Sequence, residues 1–203
     1  LDHMELSEDT LVIFTSDNGG VLMTEGDRPE AEAYRAGLRC NADWRGRKHS
    51  IYEGGFRVPF IVRWPGHVQA STACDETISL VDMYATIAAL LDQAVPADED
   101  VAEDSFNVLP AFVGESSQEP IRSSIVLHSP NGNFAIRQGP WKYIEGKPSP
   151  TLTKVPRRDE LGAQLYNLEE DAGEEVNLLD EHTNIAKRLA DLLEEQRTNG
   201  RSR

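Results

Sequence analysis

Two side chains that could bind a cation follow an apolar run near the start of this 203-residue chain. Residues 11–14 are continuously apolar, and Ser-Asp-Asn-Gly-Gly occupies residues 16–20. An apolar run of this length predicts a fully buried strand of a parallel sheet. Ligands in open α/β sheets bind outside the carboxyl ends of such strands, and Ca²⁺ prefers carboxylate and amide oxygens. Asp17 and Asn18 are therefore candidate ligands of a divalent cation.

A plain hairpin turn is the alternative for the same residues, because Asn-Gly is the strongest short hairpin signal. A hairpin needs alternating strands on both sides of its turn. Upstream of Asn18 the apolar run is continuous, and downstream residues 24–29 have the composition of a loop. The ligand site is therefore the favoured interpretation of this short motif.

The second candidate is a basic cluster, Arg45, Arg47 and Lys48, in a chain of formal net charge −15. An isolated cluster of this kind is more often a solvated charge run that pairs with nearby carboxylates. Its position between two predicted strands and beside glycines favours an anion site instead. In such a site the Lys48 ammonium would act as a point charge on an oxyanion.

Two strands and two helices of the first half must position these residues. After the strand at 10–15, residues 57–64 predict a second strand, in which Pro59 indicates an edge or irregular position. Residues 29–37 are weakly helical within a long polar connection. Ser79 begins a helix with Asp82 in a capping-box position. An apolar stripe at helical spacing predicts a core helix, and its members are Leu80, Met83, Tyr84, Ile87, Leu90 and Leu91.

The second half has a different pattern, which predicts a small antiparallel sheet followed by a helix. An acidic connector at 93–103 indicates a boundary, which gives domains 1–103 and 104–203. Asp180 is the predicted cap of a final amphipathic helix. Short strands joined mostly by tight turns predict a meander, and they lie at 124–128, 133–137, 141–144 and 164–167.

Composition excludes several classes of function. The acidic net charge argues against a nucleic-acid partner, because phosphate binding needs a basic face. No stretch of sequence is long and apolar enough to predict a membrane span. Cys40 and Cys74 lack the spacing of a metal site, and they are either free thiols or one bridge.

Several blocks of sequence, in this order, resemble the C-terminal half of a type I sulfatase of the alkaline-phosphatase-like superfamily. The blocks are LVIFTSDNGG, RGRKHSIYEGGFRVPFIVRWPG, LVDMYATIAALL, DSFNVLPAFVGE, FAIRQGPWKYI and LYNLEEDAGEEVNLL. The resemblance implies an α/β fold, part of an alkaline-phosphatase-like mixed sheet with flanking helices. It also implies a small C-terminal α+β subdomain with an antiparallel meander and a terminal helix.

The resemblance also implies roles for individual residues. Asp17 and Asn18 inherit the role of ligands to the active-site divalent cation, usually Ca²⁺. Lys48 inherits a catalytic contact with the sulfate group and the leaving oxygen. His128, Asn131 and Asn133 lie on loops that rim the substrate cleft, and His128 is a candidate substrate-binding residue. A solvated turn is the favoured alternative for each of the three. The implied substrate is a sulfated small molecule or glycan, and the implied compartment is periplasmic, secreted or lysosomal.

The sequence lacks the nucleophile motif of the family. Sulfatases use formylglycine, made from Cys or Ser in Cys(Ser)-x-Pro-x-Arg, and neither Cys40 nor Cys74 lies in that motif. The paired aspartates that complete the metal site are also absent, and Ca²⁺ takes about six to eight oxygen ligands. We therefore expect a truncated sulfatase chain that is inactive alone. Because truncation leaves sheet edges and apolar surface bare, we also expect the chain to associate with itself through the sheet, to rearrange, or to be only partly ordered there.

Two other functions compete with a sulfatase. One is a phosphoesterase or phosphonate hydrolase of the same superfamily, which would use two zinc ions held by His and Asp. The region after Asp17 and Asn18 lacks the Asp-His pairs for that site, and Lys48 before Glu-Gly-Gly favours sulfate. The other is a non-catalytic module that binds a glycan or a partner, which the missing nucleophile motif supports.

Overall fold

The computed structural model describes residues 1–96, 101–115, 118–130, 132–146 and 162–202. The strands are β1 (Val12–Thr15), β2 (Phe60–Arg63), β3 (Ile125–His128), β4 (Phe134–Gln138), β5 (Trp141–Ile144) and β6 (Gln164–Asn167). The α-helices are α1 (Pro29–Arg35), α2 (Glu53–Phe56), α3 (Met83–Leu90), α4 (Leu109–Val113) and α5 (Thr183–Asn199). Short 3-10 turns lie at Asp2–Met4 and Leu80–Asp82.

The chain divides into two compact units, each made of segments distant in sequence. The first unit contains Leu1–Thr15, Pro59–Ile125 and the residues from Gly200 onward. The second unit contains Ser16–Val58 and Val126–Asn199. The boundary predicted between residues 103 and 104 stays a prediction.

In the first unit, β1 pairs with β2 in an antiparallel ladder that places Phe14 opposite Ile61. The Phe14 side chain is 60% exposed and that of Ile61 58% exposed. The prediction of a fully buried parallel strand is therefore wrong, because β1 is antiparallel to β2 and one of its faces is exposed. An apolar run alone does not distinguish a strand covered on both faces from one whose apolar face is open. Pro59 directly precedes β2, a position where its missing N–H removes no ladder bond.

The helix that follows Ser79 starts as predicted but buries a different face. The Ser79 backbone N–H donates to Asp82 Oδ2 at 2.6 Å, as the capping box requires. Asp82, Ala85 and Thr86 are buried. Asp82 forms an ion pair with Arg122, and Ala85 N donates to Ser105 Oγ. The predicted core stripe is wrong, since it contains the exposed side chains Leu80, Tyr84, Ile87 and Leu91.

The second unit contains a sheet in the order β3-β4-β5-β6, with antiparallel registers from β4 to β6. This confirms the predicted meander. Helix α5 packs on the sheet through one core cluster, formed by Ile136, Leu165, Ala186, Leu189 and Leu193. The predicted cap Asp180 is wrong, because α5 begins at Thr183 and a turn through the Leu178 carbonyl precedes it.

A second core cluster attaches the segment before α2 to the same sheet. Ile51 is 1% exposed and Tyr52 0%, and both pack against residues of β4, β5 and β6. The Tyr52 hydroxyl donates to Gln164 Oε1 at 2.9 Å. The meander thereby provides a fixed support for the segment that carries Lys48.

Within the described ranges, no helix is long and apolar enough to cross a membrane. Cys40 and Cys74 are both free and exposed, which decides between the two alternatives left open by their spacing.

The open face of β1 and β2 leads to a prediction about association. We expect this chain to self-associate in sedimentation velocity. The double substitution Phe14→Ser/Ile61→Ser should weaken the association about tenfold or more, because it removes two large apolar side chains that would be buried in the contact. Leu38→Ser, at a 59% exposed position of the second unit, is the matched control. A wild-type chain that stays monomeric at all concentrations would contradict the prediction.

Candidate functional site

The loop after β1 presents two oxygen-bearing side chains. Ser16 Oγ donates to the Asn18 carbonyl at 2.9 Å, which closes a tight turn around Asp17. The Asn18 amide nitrogen donates to the Gly19 carbonyl at 3.1 Å, so that its Oδ1 remains the atom suited to bind a cation. The Asp17 side chain is exposed. The chemistry of this donor set, a carboxylate and an amide oxygen, fits Ca²⁺.

The segment that carries Lys48 folds back on itself. Gly54 N donates to the Arg45 carbonyl at 2.7 Å, and Ser50 N donates to the Arg47 carbonyl at 2.9 Å. Glycine is required at residue 54, because a Cβ there would lie 2.6 Å from the Arg45 carbonyl oxygen. Lys48, half-buried, lies within this closed loop.

The two loops are hydrogen-bonded to each other. Lys48 N donates to the Gly20 carbonyl at 3.0 Å, and Gly19 N donates to the Gly55 carbonyl at 2.9 Å. A Cβ on Gly19 would lie 1.8 Å from the Gly54 carbonyl oxygen, so only glycine allows this approach. The structure therefore brings the backbone of the Asp17–Asn18 loop into direct contact with that of the Lys48 loop.

Asn41 joins these loops from a third segment, and no sequence motif predicts this role. Asn41 Oδ1 accepts from Gly20 N at 2.6 Å, while Nδ2 lies 3.2 Å from both the Gly20 and the Gly46 carbonyl oxygens, to which it donates. The side chain is buried, with 6% of it exposed. Because its partner Gly20 is 21 residues away in sequence, no local pattern could reveal the contact.

The basic cluster separates into different roles. The Arg45 guanidinium stacks on Tyr52, 3.8 Å from the ring centroid, and donates to the Glu174 carbonyl at 2.6 Å. It also donates to the Tyr166 hydroxyl at 3.1 Å. Arg47 donates to the Leu22 carbonyl at 2.7 Å. Arg45 is therefore a structural residue, and Lys48 is the member of the cluster that remains a candidate for anion binding.

A buried charge cluster lies behind the Lys48 loop, and it too was missed. Lys142 Nζ lies 2.9 Å from Glu53 Oε1 and 2.8 Å from Glu174 Oε1, and the Lys142 side chain is 0% exposed. Glu174 Oε2 accepts from the Glu53 backbone N–H at 2.7 Å. The one sequence signal for this cluster is the position of Lys142 within a short strand. Side chains alternate between the two faces of a strand, and this alternation places Lys142 on the face toward the core.

The two carboxyl groups of this cluster differ in pKa. Burial raises the pKa of Glu174, and the attraction of Lys142 does not fully offset it. Burial also acts to raise the pKa of Glu53, but Lys142, Arg137 and Arg57 together outweigh it and hold that pKa below its usual value. Glu53 is therefore the carboxylate that Lys142 and the two arginines stabilise in its charged form.

His128 lies at the end of β3, exposed, with its ring stacked on Phe134 at a centroid distance of 4.2 Å. Asn131 lies outside the described residues. Asn133 is buried, with 2% exposed, so it is not a solvated turn residue. The role of His128 in substrate binding stays a prediction.

Comparison with known proteins identifies the family of this chain. The sulfatase family model matches residues 1–93. An N-acetylgalactosamine-6-O-sulfatase of Bacteroides thetaiotaomicron is 37% identical over 201 residues, which cover 98% of this chain and 38% of that protein. The chain belongs to the sulfatase family. Human arylsulfatase A is 34% identical over 188 residues, covering 86% of this sulfatase chain and 34% of the human protein.

Solved structures agree with the sequence matches. A Bacteroides thetaiotaomicron sulfatase structure, from work on the metabolism of multiple glycosaminoglycans, matches with a TM-score of 0.84 at 36% identity. The match covers 98% of this chain and 41% of that one. A crystal structure of Ps i-CgsB with k-i-k-neocarrahexaose matches with a TM-score of 0.69 at 26% identity, covering 100% and 39% of the two chains. This sulfatase chain thus spans about two fifths of the length of these relatives.

Proposed function

We propose that this chain supplies part of the active site of an enzyme that hydrolyses sulfate esters. The observation that carries the proposal is the hydrogen bond from Lys48 N to the Gly20 carbonyl, 3.0 Å long. This hydrogen bond joins two loops. One carries Lys48, whose ammonium is the candidate catalytic group, and the other carries the candidate metal ligands Asp17 and Asn18. A positive charge next to a cation site is what the transfer of a sulfuryl group needs, because negative charge grows on the sulfate oxygens and the leaving oxygen.

In this proposal, Asp17 and Asn18 contribute a carboxylate and an amide oxygen to a Ca²⁺ site. When bound there, Ca²⁺ would act as a Lewis acid that polarises a sulfate oxygen. Because Ca²⁺ takes about six to eight oxygens, other ligands must come from elsewhere in the enzyme. Across the described ranges, no group of three His, Cys, Asp or Glu residues is arranged to hold a metal.

Lys48 would hold the sulfate group and stabilise the charge that develops on the leaving oxygen. Its half-buried position limits the access of water, which strengthens its interaction with an anion. The formylglycine nucleophile would lie on polypeptide outside this chain, so the chain alone is proposed to be inactive. In the full-length enzyme, β1 and β2 would form part of a mixed sheet that covers the exposed side chains of Phe14 and Ile61.

The proposed substrate is a sulfated small molecule or a sulfated glycan. Support comes from relatives: one is named as an N-acetylgalactosamine-6-O-sulfatase, and another structure contains k-i-k-neocarrahexaose. His128, exposed on the sheet beside Phe134, would contact such a substrate. A periplasmic, secreted or lysosomal location is proposed with this activity.

Calcium binding by the full-length enzyme tests the proposed roles of Asp17 and Asn18. We expect Asp17→Ala and Asn18→Ala each to weaken Ca²⁺ binding, measured by isothermal titration calorimetry, at least about tenfold, because each removes a direct ligand. Asp180→Ala, at an exposed acidic residue before α5, is the matched control and should leave Ca²⁺ affinity unchanged. Unchanged Ca²⁺ affinity in Asp17→Ala and Asn18→Ala would overturn this part of the proposal.

A further inference from the structure

The Lys48 loop is fixed to the antiparallel sheet at both of its ends. On one side, Arg45 donates to the Glu174 carbonyl at 2.6 Å and to the Tyr166 hydroxyl at 3.1 Å. On the other side, the Tyr52 hydroxyl donates to Gln164 Oε1 at 2.9 Å. Every one of these contacts lies within the second unit.

A third attachment, also buried, is the charge cluster of Glu53, Lys142 and Glu174. It cross-links three elements: α2, which begins at Glu53, β5, which contains Lys142, and the loop after β6, which contains Glu174. The side chains of Lys142 and Glu174 are 0% exposed, and that of Glu53 is 6% exposed. The Glu53 backbone N–H is also held by Glu174 Oε2 at 2.7 Å.

We propose that Glu53, Lys142 and Glu174 are positioning residues that set the orientation of Lys48. The proposal rests on the proposed function, in which the Lys48 ammonium contacts the sulfate group. No direct contact of the cluster with substrate or cation is part of the proposal. The cluster acts through the backbone of the loop between Arg45 and Glu53.

The loop transmits a displacement because it has little slack. Gly54 N closes the loop on the Arg45 carbonyl at 2.7 Å, directly after Glu53. A Cβ at Gly55 would lie 2.3 Å from the Ser50 carbonyl oxygen, so the inside of the loop is filled by its own backbone. A shift of Glu53 must therefore move the residues around Lys48.

The charges make this attachment stiff. Ion pairs are stronger in a buried site than in water, and separating them there leaves unpaired charges. Lys142 contacts both carboxylates, so its ammonium fixes the distance between α2 and the loop after β6. An apolar contact at the same place would hold α2 against the sheet without fixing its orientation, because hydrophobic burial is not directional.

A double-mutant cycle in the full-length enzyme tests the proposal. Lys142→Met, Lys48→Ala and the double variant are compared by kcat on one sulfate ester, and unfolding of each is measured in parallel. We expect Lys142→Met alone to lower kcat about 10–100-fold, since misplacement by about 1 Å can cost that much. In the Lys48→Ala background, the same change should lower kcat less than about threefold, because the group it positions is gone.

Glu174→Gln provides a second cycle in case Lys142→Met does not fold. It retains an acceptor for the Glu53 backbone N–H and nearly the same volume while replacing the carboxyl group with a neutral amide. We expect a smaller loss of kcat, again only when Lys48 is present. Lys187→Ala, which breaks an exposed ion pair with Asp191 on α5, is the control that should leave kcat unchanged.

The outcomes separate the two proposals. Loss of kcat that disappears in the Lys48→Ala background supports positioning. An equal loss in both backgrounds means that the cluster is only structural, and it overturns this inference while leaving the proposed function intact. If Lys48→Ala itself leaves kcat unchanged, the proposed function fails, and the positioning role falls with it.

Discussion

Replacing Lys48 with alanine in the full-length enzyme is expected to lower kcat for a sulfate ester by about 10²–10³-fold, the usual effect of removing one group that stabilises transition-state charge. The loss should appear in kcat more than in KM, because the ammonium interacts most strongly with charge that develops during the reaction. Steady-state kinetics with an aryl sulfate measures both parameters. Retained calcium binding would show that the neighbouring loop is still folded.

Two further variants sharpen this prediction. Lys48→Arg keeps the positive charge but replaces a compact ammonium with a planar fork, so it should recover only part of the lost turnover. Lys187→Ala removes a lysine that is 75% exposed on α5, and it should behave as the parent enzyme. Full turnover in Lys48→Ala would contradict a role for Lys48 in the reaction.

Replacing Lys142 with methionine is expected to lower the free energy of unfolding by about 3–5 kcal/mol, as is typical when one partner of a buried ion pair is removed. The change leaves Glu53 and Glu174 buried without the ammonium that now lies within 2.9 Å of both. The measurement is urea unfolding, with the slope of the transition compared to show that the same surface is exposed.

A surface pair gives the matched control for stability. Lys187 and Asp191 lie 2.6 Å apart with side chains 75% and 66% exposed. An exposed pair at this spacing contributes about 0.3–0.5 kcal/mol, so Lys187→Met should change stability little. A Lys142→Met protein as stable as its parent would contradict the buried cluster as an essential support of the fold.

The sequence predicted the sheet of the second unit well, because its strands are short, alternate in character and are bounded by turn residues. The predicted strands at 124–128, 133–137, 141–144 and 164–167 agree with β3 to β6 within a residue or so. The final helix follows from its apolar spacing. Asp180 is not its cap, because a turn through the Leu178 carbonyl separates Asp180 from the first helical residue, Thr183.

The first unit was harder to predict because local patterns do not show which face of an element is covered. The stripe that contains Tyr84 and Ile87 is apolar, yet the buried face of that helix is held by Asp82, which forms an ion pair with Arg122, 40 residues later. A continuous run of apolar residues also does not predict which face of β1 is exposed. Both errors concern long-range partners.

For the candidate site, motif spacing identified Asp17, Asn18 and Lys48 but not what holds their loops. Asn41 bonds Gly20 across 21 residues, and the Lys142–Glu53 pair spans 89. Such contacts depend on the fold and leave no local signal. The supporting residues of a site are therefore less accessible to sequence reasoning than the residues proposed to contact substrate.

A crystal structure of the full-length enzyme with Ca²⁺ and inorganic sulfate tests whether Asp17, Asn18 and Lys48 form one site. The expected result is that oxygens of Asp17 and Asn18 bind the cation at about 2.3–2.6 Å and that Lys48 Nζ lies within hydrogen-bonding distance of a sulfate oxygen. A cation and a sulfate bound away from these three side chains would contradict it.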